Sequence, residues 1–373
     1  MWLLNSVMRT RRAQNSAPHG HAREDGHMLA PLVTLPDLLA RTHVVSLPLN
    51  TKFRGVTHRE AALIEGTAEL DGRPVWAEFS PFLEYGTDEA STWLAAALEY
   101  GFSRTLERAA TGSVPVNATV PAVAASQVAE VLARYDGCEV VKVKVAERGQ
   151  RPADDLARLE AVRDAAPDAR LRIDANAGWS VAEAATALRA FADAGFEFEY
   201  AEQPVATIGE LTELRRVLQG TPAARIRIAA DELVRKASDP LAVARSGAAD
   251  HIVVKAQPLG GVTRAAEVVR ASGLTATVSS ALDTSVGIVM GAQLAARLPE
   301  PTFAAGLGTV SLFADEVSEP RRPVAGRVSL APVVPDPDAL RTHAAPAERR
   351  AWWLERIRAC YEKLAADASV DGE

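Results

Sequence analysis

The 373-residue chain contains little cysteine, few aromatic residues and no long apolar run. Its two cysteines, Cys138 and Cys360, lie far apart and form no CxxC pattern, which predicts reduced, structural thiols in a cytoplasmic protein. No apolar run approaches the roughly 20 residues that a membrane-spanning helix needs. The 41 basic residues are outnumbered by 48 acidic ones, and the net charge of −7 argues against a general binder of nucleic acids or anionic membranes. We therefore expect a small-molecule partner, and no pattern predicts an oligomeric state.

Five short apolar runs between residues 139 and 256 each lead into an ionisable residue. These residues follow one another at intervals of 24 to 30 positions: Lys144, Asp174, Glu202, Asp231 and Lys255. Each interval accommodates one strand, one helix and two loops, which is the repeating unit of a (β/α) barrel. The carboxyl ends of barrel strands converge on one mouth, so five ionisable side chains at five such ends predict an active site.

The predicted architecture is an α/β fold with a (β/α)8-type barrel. We expect the modified form (β/α)7β, because the repeating pattern ends after Gly308 without a clear last helix. The expected domain order is a disordered tail at 1–27, an α+β capping domain at 28–113, the barrel at 114–312, and a C-terminal segment at 313–373 that packs back on the capping domain.

Alternation and helical spacing of apolar residues predict the elements within these parts. In the capping domain we expect strands at 43–49, 61–65 and 75–79 and a helix at 88–106. In the barrel, besides the five runs above, we expect strands at 114–119, 275–280 and 302–306 and helices at 152–166 and 181–194. An amphipathic helix at 346–366 is expected to complete the capping domain.

The residue types at the strand ends indicate acid–base chemistry around a metal ion. Side chains alternate along a strand, so Lys142 shares the inward face with Lys144, and Asn176 shares one with Asp174. Three acids on adjacent strands repel one another without a cation, and oxygen ligands with no nearby His or Cys favour Mg²⁺, with Mn²⁺ as a substitute. Lys255 is four strands from Lys144 in a barrel of eight, so the two amines face each other across the mouth. This arrangement suits removal of a proton α to a carboxylate of a small-molecule substrate.

Five motifs resemble those of the enolase superfamily in order and spacing. They are Lys-Val-Lys at 142–144, Asp-Ala-Asn at 174–176, Glu-Gln-Pro at 202–204, Asp-Glu at 231–232 and Val-Lys-Ala-Gln-Pro at 254–258. Lysines on both the second and sixth strands, with no histidine at 277–280, resemble the muconate-lactonising subgroup. Three further stretches are similar to the actinobacterial o-succinylbenzoate synthase family of menaquinone biosynthesis, at 53–57, 79–85 and 114–121.

This resemblance implies a metal-dependent lyase that dehydrates 2-succinyl-6-hydroxy-2,4-cyclohexadiene-1-carboxylate to 2-succinylbenzoate through an enediolate. It implies Lys144 as the acid/base and Lys255 as the cation that stabilises the enediolate. It also implies Asp174, Glu202 and Asp231 as ligands of Mg²⁺, supported by Lys142 and Asn176. A substrate-binding role is implied for Arg54, Gly260, Gly261, Ser279 and Ser280.

The same residues leave alternatives open. A racemase needs a base on each face of its substrate, so the two lysines also suit an N-acylamino-acid racemase or a dipeptide epimerase. A cycloisomerase is a further enzymatic alternative, and a barrel retained as a binding scaffold is a non-enzymatic one. His251 begins its strand and so belongs to the stability face of a barrel, where no catalytic role is expected.

Overall fold

The computed structural model describes residues 32–53, 56–235, 239–300 and 303–370 of the chain. The predicted tail at 1–27 and Arg54 lie outside the described residues. No helix in the described part is both long and apolar enough to cross a membrane.

The N-terminal part is an antiparallel sheet of three strands with a helix packed against it. Helix α1 (Leu35–Ala40) is followed by β1 (Thr42–Phe53), β2 (Val56–Leu70), β3 (Arg73–Phe79) and α2 (Thr87–Phe102), and the strands lie in the order β1-β2-β3. Asp71 and Gly72, with φ of 53° and 70°, form the tight turn that joins β2 to β3. A Cβ atom on Gly66 would lie 1.9 Å from the carbonyl oxygen of Gly101, so the close approach of α2 to β2 requires glycine. The three predicted strands are confirmed, and the helix ends four residues earlier than predicted.

The central part alternates strands with helices. Its elements are β4 (Ser113–Pro115), β5 (Ala118–Val120), α3 (Val128–Leu132), β6 (Val140–Lys144), α4 (Pro152–Ala165), β7 (Arg170–Asp174), α5 (Val181–Asp193), β8 (Phe198–Glu202), α6 (Ile208–Leu218), β9 (Ile228–Ala230), α7 (Glu232–Arg235), α8 (Ala242–Ser246), β10 (His251–Val254), α9 (Val262–Ser272), β11 (Thr275–Val278) and α10 (Ser285–Ala295). Strands β5 to β11 form one parallel sheet in sequence order. Both predicted barrel helices, at 152–166 and 181–194, are present as α4 and α5.

The two edges of this parallel sheet meet at a short eighth strand position. Ala305 bridges to Val116, just before β5, and Gly306 bridges to Ser279, just after β11. The backbone N–H of Gly306 donates to Val278 at 2.8 Å on the other edge. This closure, with no barrel helix after it, is the predicted (β/α)7β form.

The first barrel strand differs from the prediction at 114–119. The chain there is divided, since β4 pairs antiparallel with β12 (Arg327–Ser329) whereas β5 pairs with β6 in the barrel. Pro115 lacks an N–H and marks the point where the chain leaves one sheet for the other. Such a change of partner leaves no trace in the apolar pattern of the segment.

The C-terminal segment returns to the N-terminal sheet, as predicted. After α11 (Pro337–Thr342), the long helix α12 (Ala347–Val370) lies against α2. The ring of Trp353 is fully buried and meets Phe79 edge to face, with centroids 5.8 Å apart. Its indole N–H also donates to the carboxylate of Glu60 at 2.8 Å. The tryptophan therefore anchors α12 on the capping sheet through both apolar and polar contacts.

Candidate active site

The parallel register brings the predicted residues to one level of the barrel. Lys144 pairs with Asp174, and Asp174 pairs with Glu202, at the carboxyl ends of β6, β7 and β8. Asp231 and Lys255 are the residues directly after β9 and β10. All five line one pocket with an empty volume of about 540 Å³. The sheet order places three strands between β6 and β10, so the two lysines occupy opposite sides of the ring.

Each lysine at the mouth is paired with a carboxylate. Lys144 Nζ lies 2.5 Å from Asp174 Oδ2, and Lys255 Nζ lies 2.5 Å from Asp231 Oδ2. Lys142 Nζ lies 3.1 Å from both Asp174 Oδ2 and Glu202 Oε2. Val141 and Val143, on the other face of β6, are buried in the apolar core, so the predicted inward direction of the lysines is confirmed.

Burial and neighbouring charges shift the pKa values of Glu202 and Asp174 in opposite directions. Burial raises the pKa of Glu202 to about 7, and the neighbouring charge of Asp174 adds to this shift. Burial acts in the same sense on Asp174, but the ammonium groups of Lys144 and Lys142 outweigh it and hold its pKa well below the usual range. Burial alone would lower the pKa of Lys142, yet the attraction of Glu202 and Asp174 raises it above its ordinary value. The protonation of each group therefore depends on the charges of its neighbours, and Glu202 is the acid with the least positive charge around it.

Two side chains beside the acids complete the cluster. Asn176, with φ of 45°, accepts a hydrogen bond from Lys144 Nζ at 2.6 Å. Arg235, on the short helix α7, was missed from sequence. Its guanidinium donates to Asp231 Oδ1 at 3.2 Å, to Glu232 Oε1 at 2.8 Å and to the hydroxyl of Tyr85 at 2.7 Å. It thus links an acid of the site to the N-terminal part of the chain.

Side chains from several parts of the chain form the rest of the pocket wall. Ser279 and Ser280, predicted from the sequence, line the pocket, and Ser280 Oγ lies 2.6 Å from Thr309 Oγ1. The lining residues that the sequence analysis did not single out are Phe82, Trp93, Thr119, Pro258, Ala281, Leu282, Gly306 and Thr309. Phe82 and Trp93 precede the barrel by many residues, so only the packing of the capping sheet and α2 places them here. The stretch at 79–85 contains Phe82 and was the one available signal.

Gly260 and Gly261 are not among the residues that line the pocket. They precede α9, where the backbone N–H groups of Val262 and Thr263 donate to the carboxylate of Glu99 at 2.6 and 3.1 Å. A carboxylate from α2 thus occupies the start of this helix. The structure places the glycine pair at a contact between α2 and the barrel, and Arg54 lies outside the described residues.

His251 lies deeper in the barrel and is fully buried. Its ring nitrogens lie 2.7 Å from Thr275 Oγ1 and 2.8 Å from Thr277 Oγ1, and its ring stacks on Tyr200 with centroids 4.8 Å apart. Burial, together with the charge of Arg172, lowers the pKa of His251 to about 3. The ring is therefore neutral, and it is not among the residues that line the pocket.

The chemistry of the donor set suits a divalent cation. Three carboxylates on adjacent strands supply only oxygen donors, which Mg²⁺ prefers. In the described part of the chain, no group of three or more His, Cys, Asp or Glu side chains is arranged to hold a metal ion. Lysine ammonium groups lie against these carboxylates instead. Asp174, Glu202 and Asp231 are the acidic residues whose oxygen atoms could hold such an ion.

Two family models match the chain. One, described as enolase C-terminal domain-like, matches residues 124–336, and the other, described as enolase N-terminal domain-like, matches residues 44–101. The o-succinylbenzoate synthase of Mycobacterium marinum is 49% identical over 339 residues, which cover 90% of this chain and 98% of the relative. That of Mycolicibacterium smegmatis is 50% identical over 327 residues, covering 88% and 97%. The chain belongs to the o-succinylbenzoate synthase family of the enolase superfamily.

Solved structures share the fold of this enolase-superfamily member. Muconate lactonizing enzyme from Pseudomonas fluorescens, complexed with muconolactone, superposes with a TM-score of 0.65 at 19% identity over 82% of this chain and 98% of that one. The 2-chloromuconate cycloisomerase from Rhodococcus opacus 1CP gives the same TM-score at 23% identity and the same coverage. Members of the superfamily depend on a divalent metal ion. The resemblance proposed from the motifs is confirmed.

Proposed function

We propose that this protein is a Mg²⁺-dependent dehydratase that converts 2-succinyl-6-hydroxy-2,4-cyclohexadiene-1-carboxylate to 2-succinylbenzoate in menaquinone biosynthesis. One observation carries the proposal. Two lysines stand on opposite sides of the barrel mouth, and three buried acids lie between them on adjacent strands. A reaction that removes a proton α to a carboxylate needs a base on one side and positive charge for the enediolate on the other.

Lys144 is assigned as the acid/base. Its uncharged amine takes the proton from the ring carbon that bears the carboxylate, and the electron pair of that C–H bond passes into the carboxylate as an enediolate. The enediolate then expels the ring hydroxyl, which accepts the same proton from Lys144 and leaves as water. Asn176 Oδ1, 2.6 Å from Nζ, holds the amine in place through both steps. The ring becomes aromatic, which makes the elimination favourable.

Lys255 is assigned as a permanent cation that stabilises the enediolate. Burial lowers the pKa of Lys255, and the charge of Asp231 acts against that shift. The 2.5 Å ion pair with Asp231 fixes the ammonium group at the mouth of the barrel. Because the Lys255 side chain is buried, its charge acts on the developing negative charge with less screening by water than at the surface.

Asp174, Glu202 and Asp231 are assigned as the ligands of Mg²⁺. When bound, the ion stabilises negative charge on the substrate carboxylate as the enediolate forms. Lys142 contributes by holding two of the ligands, since its ammonium group contacts both Asp174 and Glu202. Arg235 holds the third through Asp231 Oδ1.

Racemisation of N-succinylamino acids is a second candidate, because amines on opposite sides of the pocket suit proton exchange on both faces of a substrate. Exchange of solvent deuterium into both enantiomers, at a rate comparable with dehydration, would favour this candidate. If deuterium enters neither enantiomer while dehydration is rapid, dehydration is the activity of the two that the lysines support.

Replacement of Lys144 by alanine tests the proposal. Loss of a general base lowers the rate by a factor of roughly 10²–10⁴, so Lys144→Ala should lower kcat for dehydration by a factor in this range. Lys363→Ala is the matched control, because Lys363, on α12, forms ion pairs with Asp88 on α2 and with Asp367 on α12, and it does not line the pocket. Circular dichroism verifies that both variants fold. Turnover by Lys144→Ala within about tenfold of wild type would contradict the assignment of the base.

A further inference from the structure

A buried arginine from the capping sheet reaches the pocket wall of the barrel. Arg59 lies on β2 and is 4% exposed. Its Nε donates to the carbonyl oxygen of Leu282 at 3.1 Å, and its Nη2 donates to that of Ala281 at 3.3 Å. Ala281 and Leu282 follow β11 and both line the pocket. Leu282 has φ of 62°, a strained backbone conformation for a branched side chain, so this loop needs external support.

The same guanidinium also holds the part of the capping domain that faces the pocket. It donates to the carbonyl oxygen of Ser80, and its Cζ atom lies 4.7 Å from the centre of the Phe82 ring. Phe82 is itself a lining residue. One side chain thus fixes both halves of this wall, Phe82 from the capping domain and Ala281 with Leu282 from the barrel.

A buried acid fastens the next turn of the same loop. The carboxylate of Glu78, on β3, accepts hydrogen bonds from the backbone N–H groups of Thr284 and Gly287, each at 3.0 Å, and from Thr284 Oγ1 at 2.6 Å. Ser80 Oγ donates to the same carboxylate at 2.5 Å. The loop between β11 and α10 is therefore attached to the capping domain at two successive points, by Arg59 and by Glu78.

We propose that Arg59 is a positioning residue that sets the shape of the pocket wall formed by Phe82, Ala281 and Leu282, and through it the affinity for the part of the substrate that does not react. The inference rests on the proposed function, since that reaction defines which part of the substrate reacts. Arg59 does not line the pocket, and its effect passes through the carbonyl groups that it holds. Lysine carries the same charge but lacks the planar, forked donor that reaches several carbonyl oxygens at once, so Arg59→Lys should loosen the wall.

The test compares Arg59→Lys with Arg108→Lys. Arg108 is a matched control, because its guanidinium also donates to several backbone carbonyl oxygens of the N-terminal part, including those of Leu106 and Ser103, yet it does not line the pocket or touch its wall. Steady-state kinetics separates KM from kcat, and calorimetry measures binding of 2-succinylbenzoate. Arg59→Lys should raise KM and the product Kd about tenfold with kcat within about threefold, whereas Arg108→Lys should change each by less than about twofold.

The outcomes distinguish the inference from the proposed function. Equal changes in KM for the two variants, or a fall in kcat with KM unchanged, would overturn the role of Arg59. If the wild type binds 2-succinylbenzoate but does not dehydrate the substrate, the proposed function fails. Weaker binding of 2-succinylbenzoate by Arg59→Lys would then still support the role of Arg59 in shaping the pocket wall. If the wild type neither binds nor turns over, both are wrong. Should Arg59→Lys fail to fold, Arg59→Gln, which keeps an amide donor, takes its place under the same criteria.

Discussion

Replacement of Asp283 by asparagine should stabilise the protein at neutral and alkaline pH. Asp283 is buried at the junction between the capping sheet and the barrel. Burial, with added repulsion from Glu78, raises its pKa from 3.8 to about 7, and the charges of Arg59 and Lys255 only partly oppose this. The neutral form is thus favoured in the folded protein. The stability that Asp283 contributes is present at low pH. It is lost as the pH rises from the pKa of Asp283 in the unfolded chain through its pKa in the folded protein.

The size of the effect follows from the shift. Each unit of difference between the folded and unfolded pKa is worth about 1.4 kcal/mol, so ionising Asp283 costs at most about 4 kcal/mol of stability above pH 7. Between pH 5 and pH 8 the cost grows by about 2–3 kcal/mol. Asparagine keeps an oxygen that accepts the hydrogen bond from Gln257 Nε2, now 3.0 Å from Asp283 Oδ1, and it carries no charge. The advantage of Asp283→Asn over wild type should therefore increase by about that amount across this pH range.

Urea unfolding at pH 5 and pH 8, followed by circular dichroism in metal-free buffer, measures this difference directly. Asp168→Asn, in the exposed loop before β7, is the control for removal of one negative charge and should leave the pH dependence of wild type unchanged. If the advantage of Asp283→Asn were the same at both pH values, the reasoning from its burial beside Glu78 would be refuted.

Two further predictions concern the metal ligands and the C-terminal anchor. Excess chelator should abolish turnover, and Mg²⁺ should restore it and raise the Tm, because a ligand of the folded state stabilises that state. The variant Glu202→Gln should lose this rise in Tm and should be more stable than wild type without metal. An unchanged response of this variant to Mg²⁺ would count against the carboxylates as ligands. Trp353→Ala should lower the free energy of unfolding by about 3–5 kcal/mol, because the ring is fully buried against Phe79. Its KM, measured on the folded variant, should stay within about twofold of wild type, and a large rise would mean that α12 shapes the pocket.

The residues at the strand ends could be predicted because parallel strands obey a simple rule. Side chains alternate along a strand, and the carboxyl ends of parallel strands meet at one edge of the sheet. An apolar run that ends in Asp174 or Glu202 therefore places that acid at the barrel mouth, independently of the loop conformations. The same rule excluded His251, which starts its strand. Neither conclusion needs knowledge of how distant parts of the chain pack.

The rest of the pocket depends on contacts between parts that are distant in sequence. Phe82 and Arg59 belong to the capping sheet, and nothing local shows which barrel loop they meet. Arg235 lies one helical turn after Asp231, so its contact with that acid was within reach, but its bond to Tyr85 was not. The resemblance implied a substrate-binding role for Gly260 and Gly261. The carboxylate of Glu99 on α2 lies at the start of the helix that follows them.

The three acids of the site differ in how much positive charge surrounds them. Asp174 contacts two lysines, and Asp231 contacts Lys255 and Arg235. Among the described residues, Glu202 pairs with Lys142, which it shares with Asp174. Burial, with added repulsion from Asp174, raises the pKa of this central acid to about 7. A divalent ion held by Asp174, Glu202 and Asp231 would supply positive charge beside Glu202, the acid with the least positive charge around it.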